Sequence, residues 1–112
     1  MIIYNVTVSI DSSIVEEWLH WMKTLHIPNI LATGCFLEAR LSKIHGEEDG
    51  GLSFSVMYLC AEQATLDDYQ LRFAPKLQAE HQQRYEGRFA AFRTYLTVIE
   101  EFRPWMSEQK NI

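Results

Sequence analysis

The chain has 112 residues, of which 47% are hydrophobic and 22% charged, as is typical of one globular domain. Ten basic residues against fifteen acidic ones leave a net charge of −5, and the basic residues are scattered, which argues against a nucleic-acid-binding protein. No segment approaches the ~20 apolar residues of a membrane helix, and the N-terminus lacks the pattern of a secretory signal, so we expect a cytoplasmic protein with reduced cysteines.

The first element in the chain is a strand followed by a helix. Apolar side chains occupy every second position from Ile2 to Ile10, which predicts a strand with one buried face. Asp11, Ser12 and Ser13 are N-cap candidates, and Ser13 and Glu16 have the spacing of a capping box, so we expect a helix to start there. Pro28 predicts a break or kink near His26. The inward side of this helix carries the apolar stripe Val15, Trp18, Leu19, Met22, Leu25 and His26, and Gly34 ends the segment.

A hairpin and a second helix–strand unit complete the chain. Residues 35–44 and 52–62 are β-rich and flank a glycine-rich, acidic turn that contains residues 47–49. Thr65 is the expected cap of a second helix, with a kink or restart at Ala74 and Pro75 and an end at Gly87. Residues 88–99 supply the last strand.

The order of these elements predicts a ferredoxin-like βαββαβ fold of the α+β class. In that topology a four-stranded antiparallel sheet carries two helices on one face. The other face would expose Ile3, Met57, Leu59 and either Phe92 or Tyr95, so we expect a homodimer to cover it, as in a dimeric α+β barrel. We expect residues 1–99 to form this single domain and residues 100–112 to form a C-terminal tail.

Four residues are candidates for catalysis: His26, His81, Arg93 and Asn5. The two histidines lie on inward helical stripes, where a neutral imidazole serves as a base or simply fills the core. Asn5, Thr7 and Ser9 with Ser53, Ser55 and Arg93 form one expected polar patch of the sheet. In it Arg93 would grip a carboxylate of a ligand, or else pair with a carboxylate of this chain or of a dimer partner.

Aromatic residues are the second candidate set. A pocket for a flat ligand between helices and sheet would have walls of Tyr4, Trp18, Trp21, Tyr58, Tyr69 and Phe73, although the same residues would equally serve as core. The spacing of histidines, cysteines and acidic residues matches no metal motif, and no phosphate-binding loop is present, so neither a metal nor a cofactor is expected. Cys35 and Cys60 fall nearly opposite each other in the hairpin, and we interpret them as two buried thiols.

Several segments resemble a family of uncharacterised bacterial proteins, the domain-of-unknown-function family 4286. They are Ile3-Tyr4-Asn5-Val6-Thr7, Glu17-Trp18-Leu19-His20-Trp21-Met22, His26-Ile27-Pro28, Leu31-Ala32-Thr33-Gly34 and Phe89-Ala90-Ala91-Phe92-Arg93-Thr94. The likeness extends to about Ile99 and implies no activity. The helix that ends in His26-x-Pro28 before a glycine is also similar to the dimeric α+β barrel superfamily, which includes cofactor-independent monooxygenases, haem-degrading enzymes, cyclases and isomerases.

Three functions follow as hypotheses. The first is a homodimer that binds a small molecule between the helices and the sheet. The second is a cofactor-independent enzyme of the dimeric barrel type, with His26 or His81 as base and Arg93 or Asn5 orienting an oxyanion. The third is a protein-interaction module that uses the open sheet face and the tail around Trp105, and it predicts a closed interior with no cavity.

Overall fold

The fold is built on one antiparallel sheet. The computed structural model describes residues 1–46 and 50–105 of the chain. Within them, four strands stand side by side in the order β2-β3-β1-β4, with every neighbouring pair antiparallel. The strands are β1 Ile2–Asp11, β2 Glu38–Lys43, β3 Gly51–Cys60 and β4 Phe89–Thr97. This is the predicted ferredoxin-like α+β arrangement. The acidic turn at residues 47–49 and the tail from Met106 onward lie outside the described residues.

The first helical segment runs continuously from residue 12 to residue 31. A 3-10 turn at Ser12–Ile14 precedes α1 at Val15–Trp21, a π-helical turn at Met22–His26 and α2 at Ile27–Leu31. The expected capping box is wrong, because Asp11 caps the 3-10 turn by accepting a hydrogen bond from the Ser13 amide at 2.9 Å.

Of the expected break or kink near His26, the break is wrong, because the helical segment continues through the π turn. Pro28 has no amide proton for the carbonyl of Thr24, and the turn before it widens, so that the Ile27 amide donates to the carbonyl of Met22. Pro28 then lies in the first turn of α2, where a missing amide proton costs nothing.

The second helical segment restarts at its proline, as the sequence predicts. It consists of α3 at Gln63–Arg72 and α4 at Ala74–Tyr85, and Pro75 lies in the first turn of α4. The predicted cap at Thr65 is wrong, because extended backbone at Glu62 marks the start of α3. Gly87 ends the segment as expected, with a φ of 75° that favours glycine.

The two faces of the sheet have different surroundings. Directly paired residues share a face, so the register places Tyr4, Tyr58 and Tyr95 on the helix-covered side. The core lies between that side and the helices. β2 and β4 are shorter at both ends than predicted, and β2 begins only at Glu38.

The uncovered face has an apolar end and a polar centre. Leu59, Ile3 and Leu96 form one row across three strands, and Phe92 is 63% exposed on the same face. The register therefore decides between the two alternatives for β4: Phe92 lies on the open face and Tyr95 does not. Over the described ranges no helix is long and apolar enough to cross a membrane.

Candidate functional site

A cavity of about 590 Å³ lies between the sheet and the helices. Its floor comes from β1, β3 and β4, and its walls come from the π turn, α2, α3 and α4. The apolar lining includes Val6, Val8, Val56, Leu77, Phe89 and Ala91. The polar lining consists of Tyr4, Tyr58, Tyr69, His26, His81, Gln78, Gln82 and Arg93. A mostly apolar cavity of this size with a few convergent polar groups is typical of a small-molecule site.

The π turn keeps one helical stripe directed at this cavity. Trp18, Met22, His26 and Ile30 are all buried and follow one another at steps of four residues. In a regular α-helix each step of four would rotate the side chain by about 40°, so the stripe would turn away from the sheet. The wider π turn at Met22–His26 offsets that rotation, and π turns are frequent at functional sites.

A hydrogen bond with Trp18 sets the proton position on His81. The Trp18 indole Nε1 donates to His81 Nε2 at 2.9 Å, and both side chains are buried. Because indole nitrogen is a donor only, His81 Nε2 must accept, and the neutral ring carries its proton on Nδ1. The one accepting lone pair of neutral His81, on Nε2, is thereby committed to Trp18, so His81 can act toward a ligand as a hydrogen-bond donor through Nδ1 rather than as a base.

His26, unlike His81, has a buried ring nitrogen without a hydrogen-bond partner. Its ring is 8% exposed and stacks on Trp21 with the ring centroids 4.8 Å apart. Its Nδ1 is buried and has no hydrogen-bond partner in the structure. A buried polar atom without a partner costs about 1–3 kcal/mol. A group that hydrogen-bonds to His26 Nδ1 from within the cavity would remove this cost.

Both histidines are neutral near neutral pH. Burial, reinforced by the neighbouring His81, lowers the pKa of His26 to about 4. Burial, reinforced by the Arg93 guanidinium, likewise lowers the pKa of His81 to about 4. The two rings lie 5.7 Å apart between centroids, so one ligand can contact both.

Arg93 is the charged group of the cavity. Its Nε donates to the Tyr4 hydroxyl at 3.0 Å, which holds the guanidinium against the buried Tyr4 ring. Burial raises the pKa of Tyr4, and burial likewise raises the pKa of both Tyr58 and Tyr69. These phenols are therefore protonated at neutral pH. Arg93 is the single formally charged side chain among the described cavity-lining residues.

The structure brings together some of the predicted site residues and separates others. His26, His81, Arg93, Tyr4, Tyr58 and Tyr69 all line the cavity. Asn5 is on the opposite face of the sheet, where its side chain donates to Thr7 and accepts from Ser55. The expected polar patch therefore forms without Arg93, because Arg93 pairs in register with Val6 on the helix side.

The remaining aromatic candidates stand behind the lining. Trp18 supports His81 through the hydrogen bond, and Trp21 supports His26 through stacking. Phe73 packs near Tyr69 with Arg72 over its ring and is not part of the lining. Cys35 and Cys60 are both free thiols and buried, as interpreted from the sequence.

Sequence reasoning missed the polar residues contributed by α4. Gln78 and Gln82 line the cavity one turn apart, next to the stripe of Leu77 and His81. Their spacing could have revealed them: Gln78 and Gln82 are four residues apart, as are Leu77 and His81. This spacing places all four side chains on neighbouring positions of one helix face. No group of three or more histidine, cysteine or acidic side chains within residues 1–46 and 50–105 is arranged to hold a metal ion.

The fold and cavity define a class: a ferredoxin-like α+β domain with a cavity between its sheet and its helices. The sequence model of the domain of unknown function DUF4286 matches residues 1–99, and the chain belongs to that family. A search of the curated proteins finds no match.

Solved structures of the same fold share little sequence with this chain. A dimeric ferredoxin-like protein from an uncultured marine organism is 12% identical, with a TM-score of 0.69 over 92% of this chain and 99% of the other. A mutant of MhuD with two manganese protoporphyrin IX molecules bound per active site is 13% identical, with a TM-score of 0.66 over 92% and 99%. An antibiotic biosynthesis monooxygenase is 13% identical, with a TM-score of 0.57 over 89% and 100%.

Proposed function

We propose that this protein is a homodimer that binds a small molecule in the cavity between its helices and its sheet. The observation that carries the proposal is the unpartnered, buried Nδ1 of His26 in the cavity wall. A polar atom left unsatisfied in the core destabilises a protein unless a ligand or a water molecule supplies the missing hydrogen bond. The volume of about 590 Å³ also disfavours a pure interaction module, which predicts a closed interior.

The homodimer rests on the open face of the sheet. The row of Leu59, Ile3 and Leu96, together with Phe92, forms an apolar patch beside the polar centre around Asn5. A second copy packed on this face would remove the patch from water and bring the two sheets face to face. The dimeric state of a ferredoxin-like protein with the same fold supports a homodimer.

Native mass spectrometry of the protein purified from its own host tests both parts. We expect a dimer that carries extra mass, and we expect His26→Phe to lose that mass while remaining dimeric. His20→Phe, which alters an exposed histidine, is the control and should retain it. A dimer of bare chain mass would count against the ligand, and a monomer would contradict the covered face.

A cofactor-independent enzyme is the second candidate. His26 Nδ1 has no hydrogen-bond partner and can accept a proton from a ligand when Nε2 carries the ring proton, whereas the one lone pair of neutral His81 already accepts from Trp18. The likeness in fold to a monooxygenase and to a protein with protoporphyrin in its active site is consistent with an enzyme. A pKa of about 4 makes His26 a weak base at neutral pH, however, so binding ranks first.

Proton exchange distinguishes the enzyme from the binding protein. An enzyme that uses His26 as base should exchange a carbon-bound hydrogen next to the carbonyl group of a bound, enolisable ligand for deuterium, as followed by NMR in D₂O. His26→Gln should slow that exchange strongly, whereas His20→Gln should exchange at the wild-type rate. Exchange at the same rate in His26→Gln would exclude His26 as the base.

We also place the protein in the cytoplasm. Its two buried free thiols, Cys35 and Cys60, support a reducing compartment.

A further inference from the structure

The arginines of this chain differ in their partners. Five of the six arginines have a carboxylate within 4.0 Å: Arg40 with Glu38, Arg72 with Asp68, Arg84 with Glu17, Arg88 with Asp11 and Arg103 with Glu101. Arg93 has no carboxylate partner among the described residues, although the chain carries an excess of acidic residues. The unpaired guanidinium is also the one that lines the cavity.

The bond with Tyr4 orients this guanidinium. Arg93 uses Nε to donate to the Tyr4 hydroxyl, so its two terminal nitrogens carry the remaining N–H groups. Tyr4 is held in turn by stacking on Tyr95, with the ring centroids 5.4 Å apart and the planes inclined by 10°. The planar fork of an arginine fixed in this way is suited to the two oxygens of a carboxylate.

The rest of the lining indicates the charge and shape of the ligand. No acidic residue lines the described cavity, and a single positive charge stands in it, which fits a monoanion better than a dianionic phosphate. Tyr4, Tyr58 and Tyr69 offer aromatic surface around the same space. Such surfaces favour a flat ring that stacks or packs edge to face.

We propose that the cavity takes a planar aromatic carboxylate, with its carboxylate on Arg93 and its ring against the tyrosines. This inference rests on the proposed small-molecule function and names the ligand class for the same site. A ring substituent that hydrogen-bonds to His26 Nδ1 would satisfy the second polar group of the cavity.

Two probes of equal shape test the charge requirement. We compare 2-naphthoate with its neutral isostere 2-naphthamide by isothermal titration calorimetry on the purified full-length protein, after removal of any retained molecule. Because a hydrogen-bonded charge at a partly exposed site contributes modestly, we expect the wild-type protein to prefer the carboxylate about tenfold. Arg93→Gln should abolish that preference, and Arg93→Lys should retain part of it. Arg72→Gln on α3 is the matched control and should retain all of it.

The outcomes separate this inference from the function on which it rests. Equal affinity of the wild-type protein for both probes would overturn the carboxylate assignment and leave the small-molecule proposal standing. No binding of either probe would count against the proposed cavity function itself. If Arg93→Gln weakens the dimer in native mass spectrometry but keeps the carboxylate preference, Arg93 belongs to the subunit interface and the inference is wrong.

Discussion

Acidification from pH 7 to pH 5 should destabilise this protein through its two buried histidines. His26 and His81 have pKa values of about 4 in the folded protein, against 6.5 in a solvated chain, chiefly because both rings are buried. A depressed pKa means that the unfolded chain binds protons first as the pH falls. The stabilisation by the neutral rings is therefore fully present above pH 6.5 and is lost as the pH falls toward 4.

The size of the effect follows from the two pKa values of each ring. Between pH 7 and pH 5 each histidine should lower the free energy of unfolding by about 2 kcal/mol, and the pair by up to about 4 kcal/mol. A loss of that size is a large part of the stability of a small domain. Stopping at pH 5 separates the histidines from Asp11, whose pKa is held below its usual range chiefly by hydrogen bonds from Ser13.

Urea unfolding followed by tryptophan fluorescence at pH 7, 6 and 5 measures this loss. His26→Phe should remove about half of the pH dependence, whatever it does to stability at pH 7. His20→Gln replaces an exposed histidine and should leave the slope unaltered. An unfolding free energy that stays constant from pH 7 to pH 5 in the wild-type protein would refute the conclusion that these rings are buried and neutral.

Three further predictions concern single contacts. Trp18→Phe removes the only N–H that reaches His81 Nε2 in the described structure, so the free energy of unfolding should fall by about 1–3 kcal/mol. Chemical shifts of the imidazole nitrogens should then show that His81 is no longer confined to the Nδ1-protonated form. Phe92→Asp puts a charge on the apolar open face and should convert the dimer to monomer in sedimentation, whereas Leu71→Asp, at an 80% exposed site on α3, should not. In Gly87→Ala the added Cβ has no atom within 4 Å, but the backbone must keep a φ of 75°, which alanine adopts only with strain. The free energy of unfolding, measured by thermal unfolding, should therefore fall by about 1 kcal/mol.

Much of the fold could be predicted because each element has a local cause. Alternation along β1 and the three-to-four-residue stripes on the helices arise from backbone geometry, and the order of the elements then leaves few topologies. The start of α3 was misplaced because this helix has no side-chain cap, so Thr65 was a false signal. At the first segment several polar residues compete for the cap, and Asp11 accepts from the Ser13 amide and from Arg88. The π turn was missed because hydrophobic period alone does not distinguish a wider turn from a break before Pro28.

The sequence by itself determined that His26 and His81 lie on inward helical faces and that β4 carries two alternating sets of side chains. Only the tertiary structure decided which set faces the helices. Both sets contain an aromatic residue and an alanine, so the sequence pattern of β4 does not distinguish its two faces. The pairing of Val6 with Arg93 shows which set faces the helices. That pairing puts Arg93 in the cavity with the histidines and leaves Asn5 on the open face, because adjacent positions of a strand point to opposite sides of the sheet.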